Sequence, residues 1–132
     1  EIPDTVEGID FSGLFNKRSM KRRKEVYAVF SDKVRTVKDD RFKLIEYRFQ
    51  KVAVTQLFDL KNDPLETCNL ADNPRYAEHR ERLTNKLIEH GKKSGDMNHK
   101  SGQIFWSRYF KDPDFVEPEV VNWMVTMYKP DA

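Results

Sequence analysis

Chemistry in this 132-residue sequence would have to come from a small set of side chains. The acids Asp59, Asp63 and Glu66 follow one another at a spacing that invites a calcium loop. Calcium asks for six or more oxygen ligands and a glycine at the sharp turn; this stretch has Pro64 and too few ligands, so the acids read as turn and capping residues. His79 and His90 lie about three turns apart on a predicted helix, too far to share a metal, and His99 stands alone. No serine or cysteine sits in a recognisable nucleophile motif, and no glycine-rich phosphate loop occurs. The single cysteine, Cys68, reads as a small residue packed in a turn. The expectation is a chain with no catalytic residue and no metal site of its own. Two cations remain, Arg35 and Lys43, in a predicted hairpin. They alternate with core positions and are expected to leave the opposite face of the sheet. The plainer alternative is exposed strand charges that discourage edge pairing.

The elements that must position these residues can be read from periodicity. Glu25–Phe30, Val34–Lys38, Phe42–Phe49 and Val52–Leu60 are four β-prone segments joined by short links, which predicts an antiparallel meander. Asn62-Asp63-Pro64 stops the last strand, because proline gives no ladder hydrogen and the Asn and Asp side chains bond nearby amides. Asn73 is a good N-cap with Pro74 at the first helical position, and Tyr76, Ala77, Leu83, Leu87 and Ile88 form an apolar stripe interrupted by Arg80. A helix is predicted from Pro74 to His90, with Gly91 as its C′ residue. It covers one face of the sheet. Residues 1–20 read as loops with at most one short helical turn. Met97–Gly102 is polar and breaks the pattern. Gln103–Phe110 is densely aromatic; its Phe105, Trp106, Tyr109 and Phe110 could form a carbohydrate platform or a docking edge, but residues of this kind more often cover part of the core. Val116–Tyr128 is a second helix candidate, stopped by Pro130. The fold class expected is α+β: a four-stranded antiparallel sheet packed by one long amphipathic helix, with a partly helical C-terminal tail.

Composition narrows the partners. A net charge of +2 is too small to imply a nucleic acid or membrane, and no apolar run reaches the length of a membrane span. One thiol forms no internal disulfide, so the compartment cannot be read from cysteine usage. The basic run Asn16–Lys24 reads either as a patch for a polyanion or, more plainly, as a solvated linker. It lacks the stacking aromatics or groove-reading helix of a nucleic-acid module.

One stretch resembles a known family. From Phe58 to Leu70 the chain reads aromatic-Asp-Leu-x-x-Asp-Pro-x-Glu-x-x-Asn-Leu, which is similar to the C-terminal signature of the sulfatases, in the alkaline-phosphatase-like superfamily. Residues 34–46 resemble the hairpin that precedes this signature, and residues 3–15 the glycine-containing segment that closes the large catalytic domain. The resemblance implies three parts: 1–23, a remnant of the link from that domain; 24–95, the C-terminal subdomain; and 96–132, an extension with a short helix that matches no family. It implies a parent enzyme that hydrolyses a sulfate ester through a formylglycine hydrate with calcium. The formylglycine is made from Cys or Ser in a Cys/Ser-x-Pro-x-Arg motif; Cys68 lacks that Pro and Arg, so neither cofactor is expected in this chain. The implied partner is the catalytic domain of the same parent chain, with self-association through an exposed apolar face as a consequence of its loss. Arg35 and Lys43 become candidate substrate-binding residues at the border of the cleft. Typical members are periplasmic, secreted or lysosomal. Two rival expectations stand beside this one: the tail of a phosphodiesterase or phosphonate hydrolase of the same superfamily, and a stand-alone module that binds a polyanion such as a sulfated glycan.

Overall fold

The structure, a computed structural model, describes Gly8, Ser12–Phe15, residues 23–112, Asp114 and Val116. The predicted Val116–Tyr128 helix lies outside the described residues apart from Val116, as does most of the basic run. A short helix α1 (Ser12–Phe15) is followed by strands β1 (Val26–Phe30), β2 (Val34–Lys38), β3 (Phe42–Phe49) and β4 (Val52–Asp59), then helices α2 (Ala77–Lys93) and α3 (Lys100–Phe110). The strands form one antiparallel sheet in sequence order, β1-β2-β3-β4. No described helix is long and apolar enough to cross a membrane.

Local chemistry sets the connections. At the β2–β3 hairpin, Asp39 Oδ1 accepts from the amides of Arg41 (2.8 Å) and Phe42 (2.7 Å), closing the turn with the residue itself. Asn73 accepts from the Arg75 amide at 3.1 Å, and Pro74–Tyr76 forms a single 3-10 turn that leads into α2. The helix that the sequence starts at Pro74 is therefore present, and it runs on to Lys93.

Gly91 does not end it. It is a buried helical residue on the stripe with Leu83 and Leu87, and a Cβ there would overlap the Trp106 ring. The terminator is Gly95, whose φ of 73° is the left-handed conformation glycine adopts without penalty. The polar stretch Met97–Gly102 also differs from expectation: a 3-10 turn spans Asp96–Asn98 and α3 begins at Lys100. Gly102 makes this possible, since any side chain there would collide with the Asp96 carbonyl.

One face of the sheet is buried, and the other is covered only in part, at Phe58. Val37, Phe42, Leu44 and Leu57 meet Leu83 and Leu87 of α2 and Phe105 and Trp106 of α3 in a single core, with Ala71 closing one side. Removing such side chains from water contributes about 1.5–3 kcal/mol each. The aromatic segment is thus part of the core at Phe105 and Trp106, while Phe110 is exposed. On the opposite face Val26, Phe30, Val52 and Val54 remain 38–68% exposed, and no described element covers them. The molecule is α+β, an antiparallel sheet with helices on one side only.

Candidate functional site

The two candidate cations leave opposite faces of the sheet. Strand register pairs Arg35 with Glu46 and Val37 with Leu44, so Arg35 shares the helix-covered face with the core. Lys43 pairs with Lys38 and with Phe58, which places it on the other face. The expectation that both cations leave one face is corrected for Arg35, and the two do not line one pocket.

Arg35 is 0% exposed and its hydrogen bonds are made within the chain. Its Nε and Nη2 donate to the two Asp96 carboxylate oxygens at 2.7 and 2.9 Å, and Nη1 donates to the carbonyls of Ser31 and Val34, both at 2.8 Å. The guanidinium also lies over the Phe105 ring, 4.5 Å from its centre. Asp96 collects two further donors, the Tyr27 hydroxyl and Trp106 Nε1, each at 2.8 Å. Burial pushes the Asp96 carboxyl up, but the bonds from Arg35, Trp106 and Tyr27 with the Arg35 charge outweigh it, and the acid is held below its ordinary range. Burial, reinforced by Asp96, pushes the Tyr27 phenol up. This is a bidentate pair fastening β1, β2 and α3 together.

A second buried carboxylate, Glu46, accepts from the Thr55 hydroxyl at 2.7 Å and meets Arg48 Nη2 at 2.9 Å. Burial dominates here and raises its acid above the ordinary value. Arg48 lies over Tyr109 of α3, 5.0 Å from the ring centre. Every buried polar side-chain atom among the described residues has a partner.

On the open face, Lys43 Nζ is bound by both Glu66 oxygens, at 3.0 and 2.7 Å, and is about one-quarter exposed. Lys38 stands directly across from it, a like-charged cross-strand neighbour. Glu66 holds a φ of 55°, a conformation that costs a non-glycine residue on the order of 1 kcal/mol.

The three acids of the would-be calcium loop diverge. Asp59 takes Arg41 through two bonds, at 3.0 and 2.7 Å, which lower its acid to about 2. Asp63 accepts from the Thr67 hydroxyl and the Cys68 amide, and Glu66 turns to Lys43. No group of three or more His, Cys, Asp or Glu residues able to hold a metal occurs among the described residues. His79 stacks on Phe42, His90 meets Glu25 at 3.0 Å, and His99 faces Ser101. Cys68 is exposed, not packed, because its turn projects from the sheet and is held by Asp63. Calcium and a formylglycine therefore do not fit the described residues.

Asp96 and Glu46 were not anticipated. Glu46 was within reach, since strand alternation puts it on the stripe with Phe42 and Leu44. Asp96 follows a glycine in a polar stretch and carries no signal.

Comparison with known proteins agrees with this architecture. No curated protein matches the chain. Among solved structures, a candidate sulfatase from Bacteroides thetaiotaomicron superposes with a TM-score of 0.63 at 23% identity, over 74% of this chain and 22% of its own. A 2-O GAG sulfatase gives 0.62 at 23% over the same shares. A protein solved with its substrate D-glucosamine-2-N,6-O-disulfate gives 0.60 at 24%, over 78% of this chain and 22% of its own. These likenesses speak to the fold, and the chain spans 22% of the length of each of these relatives. The family model described as N-sulphoglucosamine sulphohydrolase, C-terminal, matches residues 1–93, and the chain belongs to that family.

Proposed function

We propose that this chain is the C-terminal subdomain of a sulfatase, a sulfuric ester hydrolase, and that it works without catalytic residues of its own. It supports a catalytic domain of the same parent chain and borders that domain's substrate pocket. The observation that carries this reading is the one-sided sheet. An antiparallel sheet with helices on one side can leave its other face to water when that face is polar, but here the helix-free face keeps four large apolar side chains open to solvent. An exposed apolar area of this sort marks a contact surface, and a preceding catalytic domain is the occupant that the family membership suggests. In isolation the same face favours self-association.

Residues 1–23 serve as the link from the catalytic domain, 24–95 as the subdomain and 96–132 as its extension, whose α3 lends Phe105 and Trp106 to the core. Lys43, on the open face, is the cation placed to border the pocket. Arg35 is spoken for: an anion reaching it would have to displace Asp96, so its part is to fasten the subdomain. Formylglycine and calcium belong to the preceding domain in this reading.

The test is sulfate release from sulfated sugars and aryl sulfates by the whole parent polypeptide, with and without Lys43→Ala. Sulfate release by the parent, none by the 132-residue chain alone, and a raised KM in the variant are expected. Hydrolysis of phosphodiesters or phosphonates in place of sulfate esters would overturn the reaction class. Tight, salt-dependent binding of a sulfated glycan by the chain alone would favour a binding module.

A further inference from the structure

The open face of the sheet has two unlike ends. Strand register sets Phe30, Val34, Tyr47 and Val54 side by side across all four strands at one end. At the other end the row runs Val26, Lys38, Lys43, Phe58. Two lysines directly opposite each other on neighbouring strands repel, and the pair destabilises the sheet unless acids offset it. The chain supplies one such acid. Glu66 binds Lys43 Nζ through both carboxylate oxygens, and it holds a left-handed φ of 55° in doing so. Lys38 is exposed, and no acid among the described residues pairs with it.

We infer, resting on the function proposed above, that the element of the catalytic domain covering this face is apolar along the Phe30–Val54 end and presents a carboxylate to Lys38 at the other. A cover takes water away from the Lys38 ammonium, and an ammonium that loses water without a counter-charge is costly. Glu66 does not meet that need, since both of its oxygens are taken by Lys43. Val26, on the other side of Lys38, has no side-chain acceptor to offer. The covering element is what remains to supply one, as Asp or Glu. With it in place each lysine has one acid, and their repulsion is offset. The same charge fixes the direction of docking: turned end for end, the cover would set its carboxylate against the valines and aromatic rings of the apolar row.

The test compares thermal melting of the whole parent polypeptide with that of the 132-residue chain alone at low concentration. Lys38→Glu places an acid across from Lys43, so the isolated chain is expected to change little. In the parent the same substitution sets carboxylate against carboxylate, and the melting temperature is expected to fall by at least about 2 °C. Lys38→Met keeps an apolar stem, drops the charge and leaves the partner acid unpaired, so the parent is expected to melt lower here too. Val54→Asp reports on the cover itself, and is expected to lose more in the parent than in the isolated chain, where Val54 is already 43% exposed. Equal losses for Val54→Asp in the two would mean that the face is not covered, and would overturn the proposed function together with this inference. A parent weakened by Val54→Asp but as stable as wild type, or more so, with Lys38→Met would overturn this inference alone. So would Lys38 variants of the parent with unchanged melting and a raised KM for a sulfated sugar, which would set Lys38 against substrate.

Discussion

Removing the Asp96 carboxylate is the sharpest perturbation of this fold. Asp96→Ala leaves the Arg35 guanidinium buried with no counter-charge, and the Tyr27 hydroxyl and Trp106 Nε1 without an acceptor. Breaking a buried ion pair from one side costs about 3–5 kcal/mol. A domain of this kind has about 5–15 kcal/mol in all, so the variant is left near the edge of stability. Urea unfolding followed by tryptophan fluorescence measures it: with a slope of about 2 kcal/mol per molar, the midpoint falls by about 2 M. Asp96→Asn keeps an oxygen acceptor but loses the charge, and falls between. Arg35→Met with Asp96→Leu removes both charges together, and is expected to recover most of the loss because no unpaired ion stays behind. The sign with pH follows from the depressed acid. Its stabilisation is complete above the unfolded value of about 3.9 and drains away as pH falls through the folded value. Asp96→Ala should therefore lose less on acidification than wild type does. A loss below about 1 kcal/mol in Asp96→Ala, or a double variant no better than the single, would refute the claim that this pair fastens the sheet to α3.

Three further outcomes are expected. Glu46 has a raised acid, so the folded form gives up its proton less readily than the unfolded chain, and its contribution declines as pH rises from about 4.3; thermal melts of Glu46→Gln should be flatter than wild type across that window. Gly91→Ala gains helix propensity of about 1 kcal/mol but drives a methyl into the buried Trp106 ring, at an overpacking cost of about 1–3 kcal/mol; a net loss in chemical denaturation is expected, and Gly102→Ala, against backbone, should lose more. Glu66→Gly relieves a strained φ while giving up a partly exposed ion pair of about 0–1 kcal/mol, so its melting temperature should stay within a few degrees of wild type and above that of Glu66→Ala, which loses the pair and keeps the strain.

How much of this was legible depends on whether the cause was local. Period-two alternation in Phe42–Phe49 and the Asn73-Pro74 start are local patterns, and the strands and α2 stand where they indicate. Gly91 misled because a glycine inside a helix can serve a neighbour's bulk as well as a turn, and its neighbour, Trp106, comes from another element. The start of α3 was hidden in polar residues for the same reason: Gly102 is there for the Asp96 carbonyl that passes over it. Arg35 is the most instructive case. Its alternation with Thr36 and its kinship with Val37 already put it on the core face, yet its charge argued for water. The carboxylate that settles the matter lies 61 residues further along, and nothing in sequence spacing joins the two. Lys43 was placed correctly on the open face, since no distant partner was needed to put it there.

That this chain is the subdomain of a sulfatase is tested most directly by the sequence of the reading frame immediately upstream of Glu1. A catalytic domain is expected there, with Cys or Ser followed by x-Pro-x-Arg and paired aspartates for calcium near its start. A start codon at this point, or an unrelated domain, would contradict it.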